Sequence, residues 1–483
     1  MIPNWLLQRA YLTPNRIALS FGDEQWTFQQ LKEEAISIAS KLRSIDLQEG
    51  DRIALLGASS PEMVFMIHGC LVAGLEIVML NNRLTTEEIA WQLTDSEAKV
   101  WIIADEFQNL TAQNENAFMT FSMIQTLPIK ESHFTEYWEP SRTITIMYTS
   151  GTTGFPKGVR QTADNHTSSA LSSVLNLGLD ENDCWLCTMP LFHISGFSIL
   201  VRSVLYGMEV RLYEKFDAQS IAEEICRGTV TRISVVATGL QRILSEMEKV
   251  DSVADPMFRT VLAGGGPIPN DYLERSTLRQ LPVLQTYGMT ETSSQTATLS
   301  AEDALRKSGS AGKPLFFNRI KIADGKRAGE IGEVLVAGPH VTPGYIGHAS
   351  SKSSLVDGWL QTGDLGYIDD EGYLYIVDRR SDLIISGGEN IYPAEIENIL
   401  ASHPRVLEAG VCGQEDKEWG SVPVAFVVVD TDLSAEELDE FCRHRLASYK
   451  VPKRFYFVKQ LPRNASNKLL RRTLKTWLDS DEK

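Results

Sequence analysis

The stretch of this chain with the clearest chemical content is Tyr148-Thr149-Ser150-Gly151-Thr152-Thr153-Gly154-Phe155-Pro156-Lys157-Gly158. Hydroxyls, glycines and a lysine gathered in one loop are what a polyphosphate needs. Glycines let backbone N–H groups come close, hydroxyls donate, and the ammonium neutralises charge. The chemistry indicated is binding of a nucleoside triphosphate by Thr149, Ser150, Gly151, Thr152, Thr153, Gly154 and Lys157. A Walker loop is the obvious rival, but it requires glycine before the lysine and Ser or Thr after it. Pro156 and Gly158 stand there instead, so the Mg²⁺-binding hydroxyl is missing from its place. The bland alternative is a surface loop rich in turn residues.

Further candidates follow in order. His193, in Pro190-Leu191-Phe192-His193-Ile194-Ser195-Gly196, stands between an apolar strand end and a helix start; a lone histidine there is more often a packed or capping residue than an acid–base catalyst. Gly264-Gly265-Gly266-Pro267 follows a strand and would let backbone press against a flat ring or a phosphate. Gln285-Thr286-Tyr287-Gly288-Met289-Thr290-Glu291-Thr292 offers an aromatic for stacking, hydroxyls for phosphate and a carboxylate for Mg²⁺, which favours carboxylate plus phosphate oxygens. Asp364, in Gln361-Thr362-Gly363-Asp364, is suited to a diol because a carboxylate only accepts and can take two hydrogen bonds. Ser195, Ser198 and Arg202 fall at i, i+3 and i+7, on one helix face. Arg202 sits amid Ile199-Leu200-Val201 and Val204-Leu205, and an arginine buried there needs an anion, either a substrate's or a protein carboxylate's.

The elements that must position these residues read as an α/β chain. Thr143-Ile144-Thr145-Ile146-Met147 is a strand leading into the phosphate loop. Upstream, Arg52–Leu56, Ile77–Leu80 and Val100–Ile103 read as strands. The helices between them open at Ser60-Pro61-Glu62 and near Thr85-Thr86-Glu87-Glu88, with Gly74 closing the first. Residues 107–140 show little periodicity and are expected to wander over the surface. After the loop the alternation restarts, with strands near Trp185, Val210–Leu212, Ile233–Val236 and Thr260–Leu262. Alternating units imply a mostly parallel sheet with helices on both faces. Two βα-rich blocks suggest two subdomains, and the glycine turns beyond about Gly309 suggest a small β-subdomain. A compact α+β unit of about 100 residues, an ordinary small-domain size, closes the chain. The expected division is 1–380 and 381–483.

A chain of 483 residues is too long for one ordinary core. Its net charge of −17 argues against nucleic-acid or anionic-membrane partners. The N-terminus lacks the basic start and apolar core of a signal peptide, and Val64–Leu80 is interrupted by His68, Gly74 and Glu76, so neither export nor membrane insertion is expected. The six cysteines are read as reduced thiols, and Cys184-x-x-Cys187 as part of a buried strand rather than a metal site.

The phosphate loop resembles the signature loop of the acyl-adenylate-forming superfamily, which includes acyl-CoA synthetases, luciferases and peptide-synthetase adenylation domains. Further motifs of that family recur in order along almost the whole chain. The resemblance implies a large N-terminal domain followed by a small mobile one, ATP and Mg²⁺ as cofactors, and coenzyme A as co-substrate. It implies that His193 stands at the wall between acyl pocket and adenylate, that Tyr287 stacks near adenine, that Thr290 contacts the α-phosphate and that Glu291 holds the metal. Asp364 and Arg379 would bind ribose, and Gly387 and Gly388 would close on coenzyme A. Lys468, in Leu461-Pro462-Arg463-Asn464-Ala465-Ser466-Asn467-Lys468, resembles the catalytic lysine. Two positions depart from the family: Ser381 replaces the usual Asp or Lys of the hinge, and Asn467 the usual glycine. Asn tolerates a left-handed conformation best among non-glycine residues. The opening Pro3-Asn4-Trp5-Leu6 and the run Pro190–Gly207 look like the o-succinylbenzoate–CoA ligases of menaquinone synthesis, which implies His193, Ser195, Ser198 and Arg202 at the acid. The expectation is therefore a cytoplasmic ligase for a small carboxylic acid, with homo-oligomerisation open. A fatty-acyl or aryl-acid ligase, and a nucleotide sensor without catalysis, are the alternatives.

Overall fold

The structure, a computed structural model, describes residues 1–111, 117–149, 156–266, 268–300, 302–304, 306–325, 327–351, 355–379, 382–386, 389–416, 419–430, 433–446, 448–464 and 468–480. Two large sheets dominate. One runs Gly344–Ile346, Lys157–Thr162, Thr143–Thr149, Glu76–Met79, Arg52–Leu56, Val100–Ile103, Phe118–Thr120, parallel from Thr143–Thr149 onward. The other runs Lys313–Pro314, Ser294–Thr298, Val283–Met289, Thr260–Ala263, Arg232–Val235, Cys184–Cys187, Glu209–Leu212, Ile17–Phe21, Glu24–Thr27, with a parallel centre and antiparallel edges.

The helix starts obey local chemistry. Ser60 accepts from the N–H of Met63, Pro61 occupies the first turn, and Gly74 ends the helix at φ 84°. In that helix, Pro61–Ala73, every residue but Glu62 is buried, because both of its sides face protein. The largest apolar core joins Ile53, Ile77 and Ile144 of the first sheet to Trp185, Val210 and Leu212 of the second through Phe28, Phe65 and Phe197. The two sheets therefore share one interior, and truncating a fully buried aromatic such as Phe197 to alanine costs about 3–5 kcal/mol.

The expected β-subdomain is present as an antiparallel sheet of Arg319–Ile322, Gly332–Ala337, Trp359–Ile368, Leu355–Val356 and Leu374–Arg379. Beyond it, two apolar clusters draw only on residues from Ile384 to Leu478, packing Pro393–Ala401, Ala435–Arg443 and Arg471–Ser480 around Val406–Asp416, Gly420–Val429 and Phe455–Phe457. Arg380 and Ser381, where the division of the chain was expected, lie outside the described residues.

One expectation needs correction. Residues 107–140 do not merely wander: Phe118–Thr120 adds a parallel edge strand, and Phe121–Thr126 is a helix capped by Thr120. A three-residue strand is too short to show a period. The cysteines are all free, and burial pushes the Cys187 thiol up to about 12, so Cys184 and Cys187 behave as small core residues. Among the described residues no helix is long and apolar enough to cross a membrane.

Candidate active site

The phosphate loop closes an antiparallel hairpin, with Lys157 opposite Thr149 across its base. Ser150, Gly151, Thr152, Thr153 and Gly154 lie outside the described residues. A Walker loop would lead from strand to helix; here the chain returns as a strand, which accounts for the failed Walker spacing. Lys157–Thr162 then pairs with Gly344–Ile346, bringing Tyr345 beside it, with the Lys157 ammonium 5.3 Å from the centre of the Tyr345 ring. The Tyr345 hydroxyl donates to Oε1 of Glu291 at 3.3 Å. At the same end of the hairpin, Tyr148, opposite Gly158, donates to Asp95 at 2.7 Å, and Asp95 also accepts from the N–H of His348 at 2.8 Å. Neither Tyr345 nor Asp95 carries a local sequence signal of this role, because strand pairing brings Tyr345 to Lys157 and Asp95 reaches Tyr148 from the separate helix Thr86–Ser96.

The second nucleotide motif is a strand, Val283–Met289, that turns through Thr290–Thr292 into the antiparallel Ser294–Thr298 with a bulge at Tyr287/Gly288. A Cβ on Gly288 would stand 1.7 Å from the carbonyl oxygen of Ser294, so the turn admits only glycine. Gln161 donates to the Thr290 carbonyl and the N–H of Thr342 to the Glu291 carbonyl, both at 2.8 Å, which holds those two side chains on a fixed backbone. Met289 begins this turn, its N–H donating to the Thr292 hydroxyl at 2.9 Å. Tyr287 donates to Oδ2 of the buried Asp364 at 2.7 Å. Asp364 lies opposite Arg379 in its ladder; the side chain of Arg379 is outside the description.

Gly264 follows the strand Thr260–Ala263, and Gly265 takes φ 84°. A Cβ on Gly264 would meet Cγ2 of Thr286 at 2.8 Å, whereas one on Gly266 would meet nothing within 4 Å. Pro267 lies outside the described residues. A Cβ on Gly265 would sit 3.6 Å from Cε of Lys468, so a lysine from the far end of the chain reaches the triple glycine. Its loop is braced at Asn464, whose Oδ1 accepts from the Lys468 N–H at 2.8 Å while its own N–H donates to the Lys468 carbonyl at 2.9 Å. Asn467 is not among the described residues, nor are Gly387 and Gly388.

His193 is the N-terminal cap of Ile194–Tyr206 and makes no side-chain capping bond. Burial, with Arg83 and Lys468 nearby, lowers its pKa to about 4, so the imidazole is neutral at physiological pH. Lys468, His193 and Gly265 thus meet in one place.

Along the same helix, Ser198 donates to the Ser195 carbonyl and to the Ser294 hydroxyl, each at 3.4 Å. Arg202, 1% exposed, donates through Nη2 to Gln295 Oε1 at 2.9 Å and to Ser294 at 3.3 Å, with its guanidinium 5.0 Å from the Trp185 ring centre. No carboxylate stands within ion-pairing distance of it among the described residues, so a structural ion pair does not account for this cation. Also among the described residues, no group of three or more His, Cys, Asp or Glu could hold a metal. A magnesium ion held by one carboxylate and phosphate oxygens requires no such cluster.

Comparison with known proteins decides the family. The AMP-binding enzyme family matches residues 6–346, and the AMP-binding enzyme C-terminal domain matches residues 395–468. The chain belongs to the AMP-binding enzyme family. Within it, the chain is 50% identical to the 2-succinylbenzoate–CoA ligase of Bacillus licheniformis, over 98% of this chain and 99% of the relative. The o-succinylbenzoate CoA synthetase of Bacillus subtilis in complex with the acyl-adenylate intermediate OSB-AMP superposes with a TM-score of 0.93 at 47% identity, covering 98% of each chain. The same synthetase in complex with ATP and magnesium ion gives 0.92 at 47% identity, over 98% of this chain and 99% of that one. This AMP-binding enzyme therefore has the expected fold class: a large α/β N-terminal part and a small C-terminal domain.

Proposed function

We propose that this AMP-binding enzyme is an AMP-forming acid–coenzyme A ligase whose acid is 2-succinylbenzoate, acting in the cytoplasm in menaquinone biosynthesis. The observation that carries the reading is Lys468 beside Gly265 and His193, a cation where a carboxylate and an α-phosphate must meet. The acid's carboxylate attacks the α-phosphorus, expelling pyrophosphate and leaving an acyl-adenylate. The thiol of coenzyme A then attacks the acyl carbon and AMP leaves. Lys468 stabilises the charge shared by carboxylate and α-phosphate, an electrostatic contribution made in a preorganised site. Lys157, Thr149 and the loop residues through Gly154 take the pyrophosphate. Tyr287 and Asp364, with Arg379, hold the nucleoside, and the backbone of Gly264, Gly265 and Gly266 packs against it. Glu291, kept in place by Tyr345, is the residue that would hold Mg²⁺, and the bound ion neutralises and orients polyphosphate oxygens.

The 2-succinylbenzoate assignment rests on two supports. The relatives just described bear that name at about half identity over their whole length. Arg202 is a buried cation with only neutral partners, and a dicarboxylate brings a second anion that a fatty acid lacks. His193, neutral, forms the wall of the acyl pocket, with Ser195 and Ser198 along the same helix. Residues 1–380 are proposed as the ATP- and acid-binding domain, and residues 381–483 as the domain that swings about Ser381 to bring Gly387 and Gly388 to coenzyme A. Self-association is proposed as well, since Tyr11, Leu12, Leu171 and Leu175 leave apolar surface exposed. Pyrophosphate release across a panel of acids, repeated with coenzyme A, tests the reading: turnover should be fastest with 2-succinylbenzoate, and a preference for a fatty or simple aryl acid would overturn the assignment.

A further inference from the structure

Two arginines flank the ring of Trp185, and they are partnered in opposite ways. Arg232, at 6.0 Å from the ring centre, is neutralised by Asp183 at 3.0 Å, both side chains being buried. Arg202, at 5.0 Å, has the Gln295 amide oxygen, the Ser294 hydroxyl and the Tyr206 phenol, while its Nε has no hydrogen-bond partner. A guanidinium has five N–H donors, so this one keeps both charge and donor capacity unspent.

Gln295 is itself 2% exposed and held at both ends. Its Oε1 accepts from Arg202 and from Ser173 at 2.6 Å; its Nε2 donates to Thr298 Oγ1 at 2.7 Å and to Thr286 Oγ1 at 3.4 Å. Turning the amide over would set its NH₂ against the Arg202 guanidinium, which can only donate, so one orientation is favoured. The residue stands opposite Gly288 in the bulge that also aims Tyr287 and Glu291.

We infer that Gln295 is a specificity-determining positioning residue: it aims the Arg202 guanidinium and, being a neutral acceptor, leaves that charge free for the second carboxylate of the acid. This rests on the proposed role of Arg202 as the acid's cation. A glutamate at the same place would satisfy Arg202 internally, as Asp183 satisfies Arg232, and quench the site. The fold should tolerate it, because the hydroxyl of Thr298, which accepts from the Gln295 amide, can turn and donate to a carboxylate.

The experiment compares Gln295→Glu, Gln295→Met and Arg202→Leu on 2-succinylbenzoate and on its analogues lacking one or other carboxylate. KM for ATP and the melting temperature are measured alongside. Gln295→Glu should melt no lower than the parent, lose about 30-fold or more in kcat/KM for the dicarboxylate, mainly through KM, and leave the turned-over monocarboxylate and ATP nearly unchanged. Gln295→Met, which removes the acceptor without adding charge, should show a smaller loss of the same selectivity and decides the matter if the glutamate variant does not fold. Equal losses on both acids, or no loss on either, would overturn the inference. If Arg202→Leu is selective for the dicarboxylate while neither Gln295 variant is, the inference about Gln295 fails alone; if Arg202→Leu is unselective, the reading of Arg202 fails with it.

Discussion

The hydroxyl of Tyr287 donates to Oδ2 of Asp364 at 2.7 Å, joining the nucleotide motif of the second large sheet to the β-subdomain. One carboxylate oxygen is thereby occupied and oriented, leaving the other to accept from a diol. Asp364→Ala is expected to raise KM for ATP on the order of 10- to 100-fold and Tyr287→Phe by less than about 10-fold, since hydrogen bonds to charged groups contribute about 1.5–3 kcal/mol. Steady-state kinetics of both variants and their double mutant check this. Strict additivity would mean that the pair does not act as a unit.

Lys468 reaches the triple glycine from a separately packed C-terminal unit, so its contribution should belong to one half-reaction. Lys468→Ala is expected to abolish acid-dependent pyrophosphate release by about 100-fold or more, while still converting supplied acyl-adenylate and coenzyme A to thioester. Equal loss in both half-reactions would remove the lysine from the adenylation step.

Glycines in this site divide by what surrounds them. A Cβ at 288 collides with the Ser294 backbone, and one at 266 meets open space. Gly288→Ala should destabilise by about 3 kcal/mol or more, whereas Gly266→Ala should melt with the parent and change only nucleotide binding. Calorimetry of the two variants distinguishes packing from ligand approach. A harmless Gly288→Ala would show that the bulge can relax.

Buried neutral histidines set an acid limit on stability. Burial lowers His68 to about 4, and His166 and His340 to about 3. Their unfolded value is about 6.5, so between those limits the unfolded chain binds protons that the folded chain refuses. Their contribution is intact above pH about 6.5 and is lost as pH falls toward 4, at up to about 1.4 kcal/mol per pH unit for each histidine. The melting temperature should fall accordingly, and His68→Met should flatten the slope. An unchanged slope in that variant would clear His68 of the effect.

Much of this architecture was legible beforehand because its determinants are local. Ser60, Pro61 and Gly74 bound a helix by capping chemistry, and the strands between Arg52 and Ile103 are short apolar runs separated by such helices. The phosphate loop and the motif around Tyr287 declare themselves by residue type. What escaped depends on partners distant in sequence. Tyr345 meets Lys157 only through strand pairing, Gln295 meets Arg202 only because a bulge and a helix converge, and Phe118–Thr120 is too short to show a period. Burial of Arg202 was readable from its apolar neighbours; the absence of a carboxylate beside it among the described residues was not.

In the proposed first step the acid's own carboxylate oxygen attacks the α-phosphorus of ATP, and Lys468 stabilises the charge that develops. Carboxyl-¹⁸O-labelled 2-succinylbenzoate, turned over with ATP, Mg²⁺ and coenzyme A and analysed by mass spectrometry of the nucleotide, follows that oxygen directly. AMP should carry one heavy oxygen, with pyrophosphate unlabelled. Label in inorganic phosphate alongside ADP, or unlabelled AMP, would contradict it.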